Sequence, residues 1–236
     1  MIEFVAQPRE GRVYSAQARV RLSDANPQGL LRFDGVARYL QDVATDDWDT
    51  TGIVSSDTWV VRRTAIRRNV KHEWPRLGEY LELRTWCGGV GAAWAERRTD
   101  ILRGGQVIIE TAALWVPVDP SGHPVRVRPE FFDVYGSAIR GRKVSGRVAV
   151  TPPPEGAISS PWPLRRADLD VVGHVNNAAV WQAVSEILDG TVSYVELVHH
   201  GPVESGHDVR LVTSVGELWL LVDGEVRVSA HYLDES

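Results

Sequence analysis

The residues best suited to chemistry sit together in the stretch 165–177, where Asp168, Asp170 and His174 share a loop with Gly173, Asn176 and Asn177. A carboxylate can attack a carbonyl carbon or take a proton from water, and an imidazole can orient a substrate or protonate a departing group. Val180, Trp181, Val184, Ile187 and Leu188 follow at helical spacing. Asn176 or Asn177 is placed to cap that helix, and Asp189-Gly190 to end it. A helix start exposes N–H groups with partial positive charge, which suits them to a developing oxyanion. An acid, an acid/base group and an amide cluster thus fall within a few residues of one another.

The elements that must hold this loop occur twice. A strand-like run, 13–22, leads into the turn cluster 23–29 and then a helical pattern with Phe33, Val36, Ala37, Leu40, Val43 and Ala44 on one face. At a constant offset of 168 − 24 = 144, Arg21 matches Arg165, Asp24 matches Asp168, Asn26 matches Asp170 and Gly29 matches Gly173. Two amphipathic helices always match at some register, so the shared Asp and Gly ahead of them carry the case for duplication. Strand patterns come after each helix: 59–70, 80–86, 94–102 and 107–118, then 192–198, 209–213, 215–222 and 225–232. One helix and about four strands, repeated, predict an α+β architecture with an antiparallel sheet curled around each helix. The Pro- and Gly-containing stretch 135–160 is expected to link a first unit, 1–134, to a second, 161–236.

Composition narrows the classes. With 26 Lys and Arg against 31 Asp and Glu the formal charge is −5, which argues against a general nucleic-acid binder. A lone cysteine, Cys87, forms no internal disulfide. No apolar run is long enough to span a bilayer and the first residues do not form a signal peptide, so a cytoplasmic protein is expected. There is no G-x-S-x-G, and Gly89-Val90-Gly91 lacks the rest of a dinucleotide fingerprint. Adjacent His199 and His200 on a strand would point to opposite faces, and His207 adds no zinc spacing, so no metal and no cofactor are expected.

The run Asp170-Val171-Val172-Gly173-His174-Val175-Asn176-Asn177 resembles the D-x-x-x-H-V-N-N loop of plant and bacterial acyl-acyl carrier protein thioesterases. Trp59-Val60-Val61-Arg62-Arg63, the turn Trp74-Pro75-Arg76-Leu77-Gly78-Glu79, Thr85-Trp86-Cys87 and Arg97-Arg98 fit that family in order and spacing over most of the chain. The resemblance implies a tandem hotdog fold, two curled antiparallel sheets each wrapped around a central helix. It implies hydrolysis of fatty acyl-acyl carrier protein to free fatty acid, with acyl carrier protein and the acyl thioester as partners and a homodimer as a candidate assembly. Neither nucleic acid nor a membrane span is among the implied partners. The family's catalytic Asp falls on Asp170 and its His on His174. Two positions depart from the pattern: Val172 stands where the family carries Asn, and the later Glu would fall near His199 or His200.

On this reading Asp170 attacks the thioester or activates water, His174 orients water or protonates the thiolate, and the backbone amides of Asn176 and Asn177 hold the oxyanion. His199 and His200 are candidates for the missing Glu's place. Asp168, matched by Asp24, is expected to be structural. Trp48, Trp59, Trp86, Trp94 and Trp115 are candidates for an acyl tunnel, with core packing favoured for most. Two basic clusters are candidates for steering an acidic carrier protein. One comprises Arg140, Arg142, Lys143 and Arg147, the other Arg62, Arg63, Arg67, Arg68 and Lys71. The competing readings are an acyl-CoA thioesterase, a catalytically weakened acyl-binding protein of the same fold and, less favoured because of the H-V-N-N loop, a hotdog dehydratase.

Overall fold

The computed structural model describes residues 2–171, 173–190 and 192–234. The first half contains β1 (Tyr14–Arg19), α1 (Phe33–Asp49), β2 (Thr58–Arg68), β3 (Tyr80–Val90), β4 (Ala95–Arg103), β5 (Gln106–Val118) and α2 (Pro129–Ile139). The second contains β6 (Ile158–Pro161), α3 (Asn177–Ile187), β7 (Tyr194–His199), β8 (Val209–Ser214), β9 (Glu217–Val222) and β10 (Glu225–Leu233). All ten strands form one antiparallel sheet in the order β1-β3-β4-β5-β2-β7-β10-β9-β8-β6. The order reads as two five-stranded units joined at β2 and β7, where Thr64 faces Leu197 and Ile66 faces Val195.

Alternation builds the sheet. In β3, Leu81 and Leu83 are buried while Glu82 and Arg84 pair with each other on the opposite face. The apolar face of α1, Phe33, Val36, Ala37, Leu40 and Val43, packs with that of α3, Ala178, Val180, Trp181 and Val184, in one core shared by both halves. Phe33 stacks on Trp181 with ring centroids 6.3 Å apart. Buried Asp34 accepts a hydrogen bond from Ser185 Oγ at 3.1 Å and an ion pair from Arg32 at 2.8 Å, so the helices are also tied by polar contacts.

The duplication holds at the helix starts, since α1 begins at Phe33 and α3 at Asn177, again 177 − 33 = 144. The expected linker is more structured than its composition suggests. Phe131, Tyr135 and Ile139 form a helical apolar stripe that α2 buries against Cys87, Val90 and Ala95. That helix ends at Arg140, which takes a left-handed φ of 49°. Ile158–Pro161 already belongs to the second half, paired with β8.

Candidate active site

Short-range hydrogen bonds build the 165–177 loop, and the first half repeats the pattern. Asp168 closes a 3-10 turn: its carboxylate accepts the Arg165 backbone N–H at 2.7 Å and the Arg165 guanidinium at 3.1 and 2.8 Å. Asp24 accepts the Arg21 N–H at 3.0 Å in the same way, which is the structural role expected of this aspartate. Next, the Asp170 N–H donates to the His174 carbonyl at 2.8 Å, and the Gly173 N–H to the Asp170 carbonyl at 3.1 Å. Asn26, Leu30 and Gly29 make the equivalent pair, both at 2.8 Å. Gly173 and Gly29 take φ of 85° and 76°, a conformation that other residues adopt only under strain.

The candidate acid sits inside that turn. Asp170 is half-buried, and its Oδ1 accepts the His174 N–H at 3.3 Å. Asn26 Oδ1 accepts the Leu30 N–H at 2.9 Å. The turn therefore needs only a side-chain oxygen, and in the second half that oxygen belongs to a carboxylate. The chain then pairs His174 with Glu204 as a single bridge, where the first half pairs Leu30 with Arg76. His174 Nε2 lies 3.3 Å from Glu204 Oε1, and the two side chains are 50% and 47% exposed. Sequence reasoning does not single out Glu204. The signal that could find it is the match of 203–206 to 75–78, since Leu31 donates to the Pro75 carbonyl as Val175 does to Val203. Both segments end on a glycine of high positive φ, 88° at Gly78 and 91° at Gly206.

At the start of α3, Asn176 Oδ1 accepts the Ala178 N–H at 2.8 Å. This is the expected cap. The Asn176 N–H, however, donates to the Asp168 carbonyl at 2.8 Å, so it is taken and cannot hold an oxyanion. The amides of Asn177 and Ala179 find no acceptor among the described residues, as the geometry of a helix start requires. Asn177 thus keeps its candidacy and Asn176 becomes the residue that fixes the helix end.

The strand that should carry the later Glu places His199 on the face of Val195 and Leu197. Burial first, then the charges of Arg62 and His200, push its pKa down to about 4, so it is neutral at physiological pH. Its Nε2 has no partner among the described residues. His200 lies on the other face, its Nε2 2.8 Å from Ser229 Oγ, and burial and Arg62 lower its pKa too. Neither imidazole supplies the negative charge of a carboxylate. Val172, where the family carries Asn, lies outside the described residues.

Two chambers lie beside the end of the loop. The smaller, about 30 Å³, is bordered by Asn177, Ala178 and Trp181 of α3 and by Gln41, Thr64, Arg97 and Trp115. Arg97 and Trp115 also border a larger chamber of about 310 Å³ walled by Trp48, Trp59, Phe131, Ala44 and Ala95. Neither Asp170 nor His174 is among the described residues lining either chamber. Of the five tryptophans considered for a tunnel, Trp48, Trp59 and Trp115 line it. Trp86 is buried, and Trp94 packs on Gly146 and donates to the Val144 carbonyl at 2.9 Å. Arg97 is neutralised by buried Asp47 at 2.6 Å, and Tyr135 donates to the same carboxylate at 2.8 Å. Cys87 also faces the cavity, but burial pushes its thiol up to about 12, which leaves it protonated and a poor nucleophile.

The basic clusters are partly consumed by their neighbours. Arg142 pairs with Glu3 at 3.1 Å, Arg140 approaches Glu10 at 3.9 Å and Arg67 pairs with Glu110 at 2.5 Å. Lys143 and Arg147 are both exposed. Among the described residues, no group of three or more His, Cys, Asp or Glu could hold a metal. No helix among them is long and apolar enough to cross a membrane.

The chain matches known proteins along most of its length. Residues 11–135 match the acyl-ACP thioesterase N-terminal domain and residues 153–229 match the acyl-ACP thioesterase C-terminal domain. The chain is 28% identical over 240 residues to an uncharacterized protein of Mycobacterium tuberculosis, covering 97% of this chain and 95% of that one. A 12:0-ACP thioesterase from Umbellularia californica superimposes with a TM-score of 0.76 at 18% identity, over 94% of this chain and 93% of that one. An acyl-ACP thioesterase from Bacteroides thetaiotaomicron gives 0.77 at 15% identity, over 94% and 97%.

Proposed function

We infer the mechanism from a premise that these matches supply: the chain belongs to the acyl-ACP thioesterase family. It is a thioester hydrolase, and its reaction releases free fatty acid from fatty acyl-acyl carrier protein. The proposal assigns the residues that do this and the donor they act on. Asp170 acts as the base that takes a proton from an attacking water. The carbonyl oxygen becomes an oxyanion beside the bare Asn177 amide, and collapse expels the thiolate, which His174 protonates. Glu204, 3.3 Å from the imidazole, orients it. The observation that carries this reading is the position of the cavity. The acyl-sized, tryptophan-walled chamber shares Arg97 and Trp115 with the small one that borders the first turn of α3, directly after the Asp/His loop, so a chain passing from one to the other would bring its carbonyl to the helix tip.

Carrier protein is the favoured donor, steered by Lys143 and Arg147. The β2–β7 seam already joins two equivalent units within one chain, so a homodimer is not needed to complete the site. Thiol release from matched acyl-carrier protein and acyl-CoA tests the donor. The expected result is a higher kcat/KM on carrier protein that Lys143→Glu and Arg147→Glu lower together. A preference for CoA untouched by both changes would assign the other donor, and acyl binding with only background release would assign a binding protein.

A further inference from the structure

The outer face of the sheet carries a cavity that hydrolysis does not use. It measures about 390 Å³ and lies across the seam between the two halves. Glu96 of β4, Arg63 of β2, Glu196 of β7 and His231 of β10 border it. Successive strand residues point to opposite faces, and Thr64, next to Arg63, borders the small chamber beside α3. The sheet therefore stands between this cavity and that chamber. Glu3 of the N-terminal segment and Arg142 and Lys143, which follow α2, border it as well.

The charges here are unequally used. Each carboxylate already has a donor: Glu96 pairs with Arg98 at 2.6 Å, Glu3 with Arg142 at 3.1 Å, and Glu196 accepts the Tyr194 hydroxyl. The side chains of Arg63 and Lys143 make no hydrogen bond or ion pair among the described residues. Arg63 is half-buried, and of its guanidinium only Nε is both shielded and unpartnered, which leaves the two terminal nitrogens accessible. Lys143 is exposed on a flexible four-carbon stem, so it supplies a second charge without a fixed position. Two uncommitted cations suit a dianion. A phosphate monoester carries about −1.5 to −2 charges at pH 7, and a guanidinium holds it through two parallel hydrogen bonds. The volume lies within the range of about 300–1,000 Å³ typical of small-molecule pockets, and Ile2 and Val144 add apolar surface for an organic body. We propose that this cavity binds a small organic phosphate monoester, its phosphate on Arg63 with Lys143 as the second cation. Such a ligand touches strands of both halves at once. The competing arrangement is an Arg63–Glu196 pair: Ala65 faces Glu196 across the seam, so Arg63 sits two residues along on the same face.

Calorimetric titration of the whole chain with inorganic phosphate, glycerol 3-phosphate and AMP, beside glycerol and adenosine as uncharged counterparts, tests this. At least one ester is expected to bind about tenfold more tightly than its counterpart, the worth of hydrogen bonds to a charged group. Arg63→Gln should abolish most of that preference, and Lys143→Gln, at an exposed position, should weaken it in the same direction. No preference for either ester, or a preference that both variants leave unchanged, would overturn the proposal and leave Arg63 to Glu196. Inorganic phosphate binding as tightly as both esters would overturn it too, since the body of the ligand would then contribute nothing. Binding is read without turnover, so these outcomes do not depend on the thioesterase reading.

Discussion

At the scale of single residues, the second half differs from the first at the positions the proposed chemistry would use. Asn26 and Asp170 hold the same turn, but only the second carries charge; Leu30 and His174 make the same bridge, but only the second can move a proton. Glu204 takes the place of Arg76 and turns a neutral-to-basic contact into a carboxylate–imidazole one. Because that pair is half-exposed, its energy is small, so Glu204→Gln should lower kcat only about two- to fivefold with KM unchanged. Steady-state kinetics check this, and a loss as large as that from His174→Ala would make Glu204 part of the chemistry instead. His199 gives a separate, pH-readable signature. Its folded pKa, about 4, lies below the ordinary value of 6.5, so its contribution is present above pH 6.5 and is lost as pH falls toward 4. The full difference is worth about 3 kcal/mol by linkage. His199→Gln should flatten the fall in melting temperature over that window, whatever it does to stability at pH 7. An unchanged slope would mean that this imidazole is not buried neutral.

Elements set where these groups point. The α3 start depends on Asn176, whose side chain caps Ala178 and whose N–H ties the helix to Asp168. Asn176→Ala should cost about 1 kcal/mol, or about 2–4 °C in a chain of this length, and should also slow turnover because the Asn177 amide is no longer fixed. Calorimetry and thiol release on one preparation check both effects, and a full-rate variant with a lowered melting temperature would remove that amide from the mechanism. Much at this scale is legible in sequence because turns and helix starts are local. The 144-residue offset, the structural Asp24/Asp168 pair and the helix face from Phe33 to Val43 all arise from residues within a turn or two of each other. What escapes is non-local or short. Glu204 reaches His174 only because the chain returns after β7. The four-residue strand β6 is too brief to show alternation, and α2 is masked by the glycines and prolines that come after it. Which tryptophans face a cavity cannot be read from local pattern, since Trp59 and Trp86 both lie in strands and differ only in what packs opposite them.

At the scale of the molecule, two equivalent five-stranded units share one sheet. On the proposed reading the second supplies the loop and the helix tip and the first the space for the chain, with the small chamber bordered by Asn177 and Trp115 between them. That reading makes chain length a property of the half without the candidate catalytic pair. Ala44→Leu adds bulk to the larger chamber from α1 and should shift preference toward acyl chains shorter by about two carbons, since each buried methylene contributes about 0.8 kcal/mol. A panel of acyl-carrier proteins of graded length checks it; an unchanged profile would put the acyl chain elsewhere. The mechanism turns on Asp170 as the group that activates water, and Asn26 supplies the control, because an asparagine already closes the same turn in the first half. Thiol release by Asp170→Asn, read beside its melting curve, is therefore the most direct test. The expected result is a loss of about 10²–10⁴ in kcat with a melting temperature within about 2 °C of wild type. Wild-type turnover in that variant would reduce Asp170 to a turn residue and contradict the mechanism.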